Sequence, residues 1–203
     1  MAQSAIELAA PALKKSERTR KTVLDAAARL FATKGYAGTN LTEIAAAAGI
    51  KTGSLYYHFA SKEELVYEVL RYGVAHSFDH TREQVEGLGP KASAAERLRA
   101  AIRAHLDSLH ELGDYTTAGL RIVEQAPVAV RNRQYANQKR YGAYWQALLE
   151  RAHSEGVLAR GVDLRATRLF LIDAMNGTAS WPASALPGTD ALTDTLLALL
   201  LRS

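Results

Sequence analysis

Polar and apolar positions alternate with a helical period along nearly the whole chain. Between Ser16 and Arg71 this pattern predicts four helices. In the first, Val23, Ala27, Leu30 and Phe31 recur at i, i+4, i+7 and i+8 and make one apolar face. Arg18, Arg20, Lys21 and Arg29 take other positions, and Gly35 supplies the stop. Asn40 opens the second helix: its side chain is placed to cap it, and Glu43, three residues on, to reach back to the cap's amide. Leu41, Ile44, Ala45 and Ala48 form its stripe and Gly49 ends it; so short a helix must be held by packing rather than propensity. Ile50 to Gly53 is a tight turn into a third short helix, Ser54 to Phe59. At about 100° per residue, Leu55 and Phe59 share one side of it, with Gly53, Ser54 and Tyr57 on the far side and Tyr56 and His58 flanking. Ser61-Lys62-Glu63-Glu64 is a capping box, and it starts a long fourth helix carrying Leu65, Val66, Val69 and Leu70.

From Ser61 onward the pattern predicts helices over 61–86, 91–112, 115–125, 128–155, 163–180 and 189–202, with breaks at Gly87 to Pro90, Gly113-Asp114, Pro127, Gly156 to Gly161, and Pro182 to Gly188. Ala, Leu, Arg and Glu dominate, all of which lose little freedom in a helix, and strand signals are sparse. The expected fold class is all-α: a three-helix head containing a helix-turn-helix, followed by a helical bundle.

Composition removes several kinds of chemistry. The 203 residues include no cysteine, which excludes disulfides, thiolate zinc sites, iron–sulfur clusters and thiol catalysis. Met1 to Leu13 lacks the charged start and long apolar run of a signal peptide, and no stretch approaches the ~20 apolar residues of a membrane span. A soluble, cytoplasmic chain with no membrane partner is expected. There is no Gly-rich phosphate loop, no Gly-x-Ser-x-Gly elbow and no His-Glu-x-x-His, so neither an enzyme nor a cofactor is expected. His76 and His80 stand at metal-ligand spacing, but without a further ligand at a telling distance they read as ordinary histidines, and no metal is assigned.

Charge changes the picture only when it is mapped. Residues 1–60 hold eight Lys or Arg against four Asp or Glu, whereas the other 143 residues hold 17 of each. All of the net +4 therefore lies in the head, as in a nucleic-acid-binding unit on a neutral body; a solvated basic tail would give the same tally. The third helix separates the two. Its outward face carries Ser, Tyr, Tyr and His where mere solubility would favour Lys and Glu, and such a face suits phosphates and base methyls in a major groove.

Thr22 to Leu65 resembles the DNA-binding domain of the tetracycline-repressor (TetR) family. The likeness runs through Ala26-Ala27, Leu30-Phe31, Gly35-Tyr36, Thr39, Ile44-Ala45, Ala48-Gly49, Gly53-Ser54-Leu55-Tyr56-Tyr57-His58-Phe59 and Ser61-Lys62-Glu63-Glu64-Leu65. The resemblance implies that Tyr56 and Tyr57 lie against DNA, that Ser54, His58 and Lys62 bind phosphates, and that Thr42, Lys51, Thr52 and Gly53 approach base edges or phosphates. Lys51 stands where relatives often have Ser or Thr, so capping of the third helix passes to Thr52 or to backbone alone. The resemblance also implies a ligand-responsive regulator, more often a repressor, that binds a near-palindromic double-stranded operator as a homodimer. The domains it suggests are a tail over 1–16, the DNA-binding head over 17–62, and a ligand-binding and dimerisation body over 63–203.

In the body, the last two helices are apolar around more than one face and must bury more than one. The resemblance makes them the dimer interface, for which Phe170, Met175, Leu196 and Leu200 are the candidates; a wholly intramolecular core is the alternative. Arg121, Tyr141, Trp145 and Trp181 are candidate contacts for a small-molecule effector, although Trp and Tyr also fill cores when their polar atoms find partners. The run Arg121 to Gly156 loosely resembles regulators of fatty-acid and sterol breakdown that sense acyl-coenzyme A. On that likeness Arg131, Arg133, Lys139 and Arg140 would meet the thioester's phosphates. A helical protein-binding module would account for the body, and a small enzyme is a weaker rival; neither explains the charge asymmetry or the tyrosine-rich helix.

Overall fold

The computed structural model describes residues 14–201. Their helices are α1 (Lys15–Lys34), α2 (Leu41–Ala47), α3 (Thr52–His58), α4 (Lys62–Gly87), α5 (Ala94–Glu111), α6 (Gly113–Ile122), α7 (Val128–Ser154), α8 (Leu164–Gly177) and α9 (Thr189–Leu200). Short 3-10 turns at Thr178–Ser180 and Ala183–Ala185 lie between α8 and α9. The only pairing of extended residues among those described is an isolated antiparallel bridge between Leu158 and Leu201. α1 starts inside the stretch expected to be a tail, whose residues 1–13 lie outside the described residues. The break expected at Gly113-Asp114 shrinks to Leu112 alone, because Gly113 already belongs to α6.

Caps set most of the boundaries. Gly35, at φ +74°, stops α1 while its N–H still donates to the Phe31 carbonyl at 3.0 Å. Asn40 caps α2 by accepting the Glu43 N–H at 2.9 Å. The reciprocal half of that expected box is absent: the Glu43 carboxylate turns instead to Lys34 of α1, 3.1 Å away. An interhelix ion pair thus replaces a local hydrogen bond. Gly49, at φ +68°, makes the turn between α2 and α3, and the Ile50 N–H closes it on the Ala45 carbonyl at 3.0 Å. No side chain caps α3; the Ser54 N–H meets the Lys51 carbonyl at 2.9 Å, so the backbone alone starts the helix. Ser61 caps α4 through the Glu64 N–H at 3.1 Å, and Glu64 returns to the Ala60 N–H at 2.7 Å.

Two apolar cores result. The first joins Val23, Ala27, Phe31, Ile44, Leu55 and Phe59 of the head region to Leu65, Val66 and Val69 of α4, and also to Tyr115, Ala118 and Ile122 of α6. Each large side chain buried in this way stabilises the fold by roughly 1.5–3 kcal/mol. The core therefore runs past residue 62 and includes a helix from the middle of the chain. The second core gathers the end of α4 with α5, α7, α8 and α9 around Leu98, Ile102, Leu106, Trp145, Leu149 and Met175.

Candidate functional site

α3 is held by its inner side and free on its outer one. Leu55 and Phe59 are buried, while Tyr57 is 83% exposed and Tyr56 53% exposed. The Tyr57 and His58 rings meet edge to face at 5.2 Å between centroids, which steadies the exposed phenol. Thr42, Lys51, Gly53 and Ser54 are exposed as well, and Thr52, His58 and Lys62 are half-buried. At the start of α4, the Lys62 ammonium sits 4.1 Å over the Tyr36 ring, whose hydroxyl donates to Glu63 at 3.0 Å. Partial burial there lowers the Lys62 pKa from its usual value, and the neighbouring Glu63 carboxylate opposes that shift. Behind α3, the Arg20 guanidinium stacks 4.3 Å over Phe59 and reaches Glu68 at 3.0 Å; Arg71 reaches the same carboxylate at 2.8 Å. The nine expected DNA-contact residues thus lie together around α3 and the adjoining starts of α2 and α4, with aromatic and hydroxyl groups outward.

In the body, a cavity of about 290 Å³ lies among α4, α5, α6, α7 and α8. Part of its polar lining belongs to one connected chain, which ends on Thr81 outside the lining. Thr81 Oγ1 and Tyr141 Oη are 2.7 Å apart, Tyr141 Oη is 2.8 Å from His105 Nδ1, and His105 Nε2 is 3.2 Å from Asn176 Oδ1. With Asn176 Oδ1 accepting, His105 carries its proton on Nε2 and accepts from Tyr141 through Nδ1. Burial depresses the His105 pKa to about 4, and only the hydrogen bond to Asn176 opposes it, so the imidazole stays neutral. Burial likewise raises the Tyr141 hydroxyl above its ordinary value.

α6 lies between this cavity and the head. Tyr115, Thr116 and Gly119 line the cavity. The Tyr115 hydroxyl donates to Asp25 of α1 at 2.7 Å, and the Lys21 ammonium lies 5.4 Å over the Tyr115 ring. Arg121 Nη1 donates at 2.8 Å to the carbonyl oxygens of both Ala32 and Thr33, which are free at the C-terminus of α1. Just beyond α6, Gln125 Oε1 accepts the Tyr36 N–H at 3.1 Å. α6 therefore lines the cavity and holds α1 at once, with Tyr115 taking part in both.

Of the four candidate effector contacts, Tyr141 alone lines this cavity. Arg121 is spent on α1 because its Nη1 donates to two carbonyls left free by the helix end. Trp145 is wholly buried behind Tyr141 and His105, with its Nε1 making no hydrogen bond, and Trp181 is exposed beyond α8. The basic run of α7 also stays outside: Arg131 pairs with Glu124 at 3.4 Å, Arg133 stacks 3.6 Å over Tyr67, and Arg140 lies 5.3 Å from the Phe78 ring centre. Sequence reasoning missed His105, Asn176 and Arg168, all at the cavity. Arg168 left a trace, as a charged residue in register with Leu164, Leu171, Ile172 and Met175 on one helical stripe.

On the outer side of α8 and α9, Phe170 is 74% exposed and Leu199 76% exposed, and they flank a groove lined also by Leu196 and Leu200. Met175 does not reach that surface; it is wholly buried in the second core because it falls on the inward stripe of α8. Among the described residues no three His, Asp or Glu side chains converge as a metal site; His76 and His80 stack at 6.2 Å, and His76 faces Glu111 at 3.3 Å.

Two family models match the chain: "Bacterial regulatory proteins, tetR family" over residues 23–69, and "Tetracyclin repressor-like, C-terminal domain" over residues 91–202. The HTH-type transcriptional repressor KstR2 of Rhodococcus jostii (strain RHA1) is 31% identical over 182 residues, covering 87% of this chain and 84% of its own. Among solved structures, the ketosteroid transcriptional regulator KstR2 of Mycobacterium tuberculosis superposes with a TM-score of 0.76 at 25% identity, covering 91% of this chain and 95% of its own. AibR, solved in complex with isovaleryl coenzyme A and operator DNA, shares the fold with a TM-score of 0.74 at 24% identity, covering 90% of this chain and 97% of its own.

Proposed function

The chain belongs to the tetR family of bacterial regulatory proteins, and on that premise we propose that it is a homodimeric, cytoplasmic repressor whose grip on its operator is released by an acyl-coenzyme A thioester bound in the body. The observation that carries this reading is the double role of α6. Its Tyr115 lines the cavity and bonds to Asp25 of α1, and its Arg121 holds the end of α1. A ligand that alters the seat of α6 therefore alters the seat of the head.

In this reading α3 enters the major groove with Tyr56, Tyr57, Ser54 and His58, while Lys62 neutralises a phosphate from the start of α4. Thr42 and the turn residues Lys51, Thr52 and Gly53 approach the adjoining backbone or base edges. The head takes residues 17–62 and the body 63–203; the two family models match separate spans, although the first runs to residue 69 and so past that boundary. Two protomers join through the exposed stripes of α8 and α9, with Phe170, Leu196 and Leu200 at the contact. Their heads must then stand about 34–36 Å apart to reach successive major grooves. The effector class is supported by the fold shared with AibR, solved with isovaleryl coenzyme A.

A mobility shift tests the reading directly, using DNA from the chain's own gene neighbourhood with and without a series of acyl-coenzyme A thioesters. A sequence-specific shift released by a thioester is expected. A specific shift that none of the series releases overturns the effector class, and the absence of any specific shift counts against a local operator.

A further inference from the structure

Resting on the reading of the cavity as the effector site, we infer that Arg168 and Gly142 form an anion seat there, so that the effector is an amphiphile anchored by a carboxylate or phosphate oxygen on the Arg168 guanidinium. Arg168 lies on α8 one turn before Ile172 and two before Asn176, and all three line the cavity. Its Nε is sealed from solvent and has no hydrogen-bond partner. None of the ion pairs among the described residues includes it. The residue as a whole is half-buried, so the unmatched group is this one sealed N–H; leaving such a donor unsatisfied is costly, and a ligand acceptor would relieve it.

Gly142 is the second, independent sign. It sits in the interior of the 27-residue α7, where glycine weakens a helix relative to alanine. A Cβ at that position would collide with Nη1 of Arg168. The missing side chain thus lets the guanidinium lie directly against the α7 backbone at the cavity wall. The rest of the lining supplies neutral donors such as Thr116, Gln134 and Gln138, but no second cation to compete for an acid. Arg168 is its only permanently charged residue, and both nitrogens of the neutral His105 are already engaged by Tyr141 and Asn176. Leu70, Val74, Leu109, Leu120, Val123 and Ile172 offer hydrocarbon to the remainder of the ligand. A guanidinium takes a carboxylate or phosphate through two parallel charge-assisted hydrogen bonds, which are shorter and stronger than neutral ones.

The test is equilibrium binding of the full-length protein to decanoate, decanoyl-coenzyme A and decan-1-ol, and to the same trio built on a cyclohexylpropyl skeleton. The wild type should bind at least one anionic probe tenfold or more tightly than the matching alcohol. Arg168→Gln should erase that preference without weakening the alcohol, Gly142→Ala, which pushes the flexible end of Arg168 aside, should reduce it, and Arg168→Lys should restore part of it. Binding of the free acid identifies the carboxylate as the anchored group, and binding of the thioester alone identifies the coenzyme A phosphates. If Arg168→Gln fails to fold, Gly142→Ala still decides, because alanine is the better helix former. Anionic binding unchanged in both variants, or equal wild-type affinity for acid and alcohol, overturns the anion seat and leaves the cavity as an effector site. Failure of all six probes to bind overturns the effector reading and the seat together.

Discussion

The hydroxyl of Tyr115 on α6 donates to Asp25 of α1 at 2.7 Å, across 90 positions of sequence, while the same residue lines the body cavity. Burial raises the Tyr115 pKa, and the hydrogen bond to Asp25 raises it further, so the phenol keeps its proton and remains a donor throughout the working range. Tyr115→Phe should keep the ring in the core and lose only this bond, costing about 1–3 kcal/mol because the acceptor is charged. The variant should bind operator but release it less fully when the effector is added. Mobility shifts at matched effector concentrations would check this; release equal to the wild type would remove Tyr115 from the coupling path.

Arg121→Ala separates two roles for one residue. As a clamp on the Ala32 and Thr33 carbonyls, it should lower stability by about 1–3 kcal/mol and alter operator binding while leaving effector affinity unchanged. Calorimetric titration of effector into the variant checks it. A large loss of effector affinity, with operator binding intact, would return Arg121 to the ligand.

On the DNA face, Tyr57→Ala should weaken binding to the specific operator by about 1–3 kcal/mol with little change in melting temperature. Lys62→Ala should weaken binding to all sequences and reduce the salt slope by about one unit. Leu55→Ala, a truncation in the first core, should instead cost about 2–5 kcal/mol of stability. Fluorescence anisotropy across salt concentrations, with thermal melts alongside, distinguishes the three.

Stability should fall as the pH drops from about 6.5 toward 4. The folded His105 pKa, about 4, lies below the ordinary value of 6.5, so the unfolded chain binds a proton through this window that the folded chain refuses. The contribution is complete above the unfolded value and is lost on the way down to the folded one, for a total of roughly 3 kcal/mol. Urea unfolding between pH 4.5 and 7.5 reads the slope. His105→Gln should flatten it; an unchanged slope would assign the effect to other groups.

Phe170→Asp should leave the fold intact, since the side chain is mostly exposed in the single chain, but should prevent pairing of the α8 and α9 faces. Light scattering should then report a monomer with much reduced operator affinity. A stable dimer would place the interface elsewhere.

How far the sequence could be read depended on whether a residue's partner was local. α2, α3 and the start of α4 were legible because Leu55 and Phe59 share one helical face and Asn40 and Ser61 bond to amides three residues on. Glu43 was misjudged because Lys34, from another helix, competes for its carboxylate. The links from α6 to α1 left no trace, since carbonyl oxygens such as those of Ala32 and Thr33 look alike in every residue type. Helical periodicity marked both faces of α8 as apolar but did not say which one met the chain's own core. Met175 therefore turned out to be interior while Phe170 stayed on the surface.

The sharing of the first core between the head and α6 has a consequence for synthesis. Residues through Phe59 leave the ribosome first, but Tyr115, Ala118, Ile122 and Val130, which complete the same core, come much later. At about 5–20 residues per second the unfinished head waits roughly 3 to 14 seconds for them. During that time the first core lacks the side chains that α6 and α7 add to it. In the proposed reading, the head's core closes only once the helix that couples it to the effector has been made.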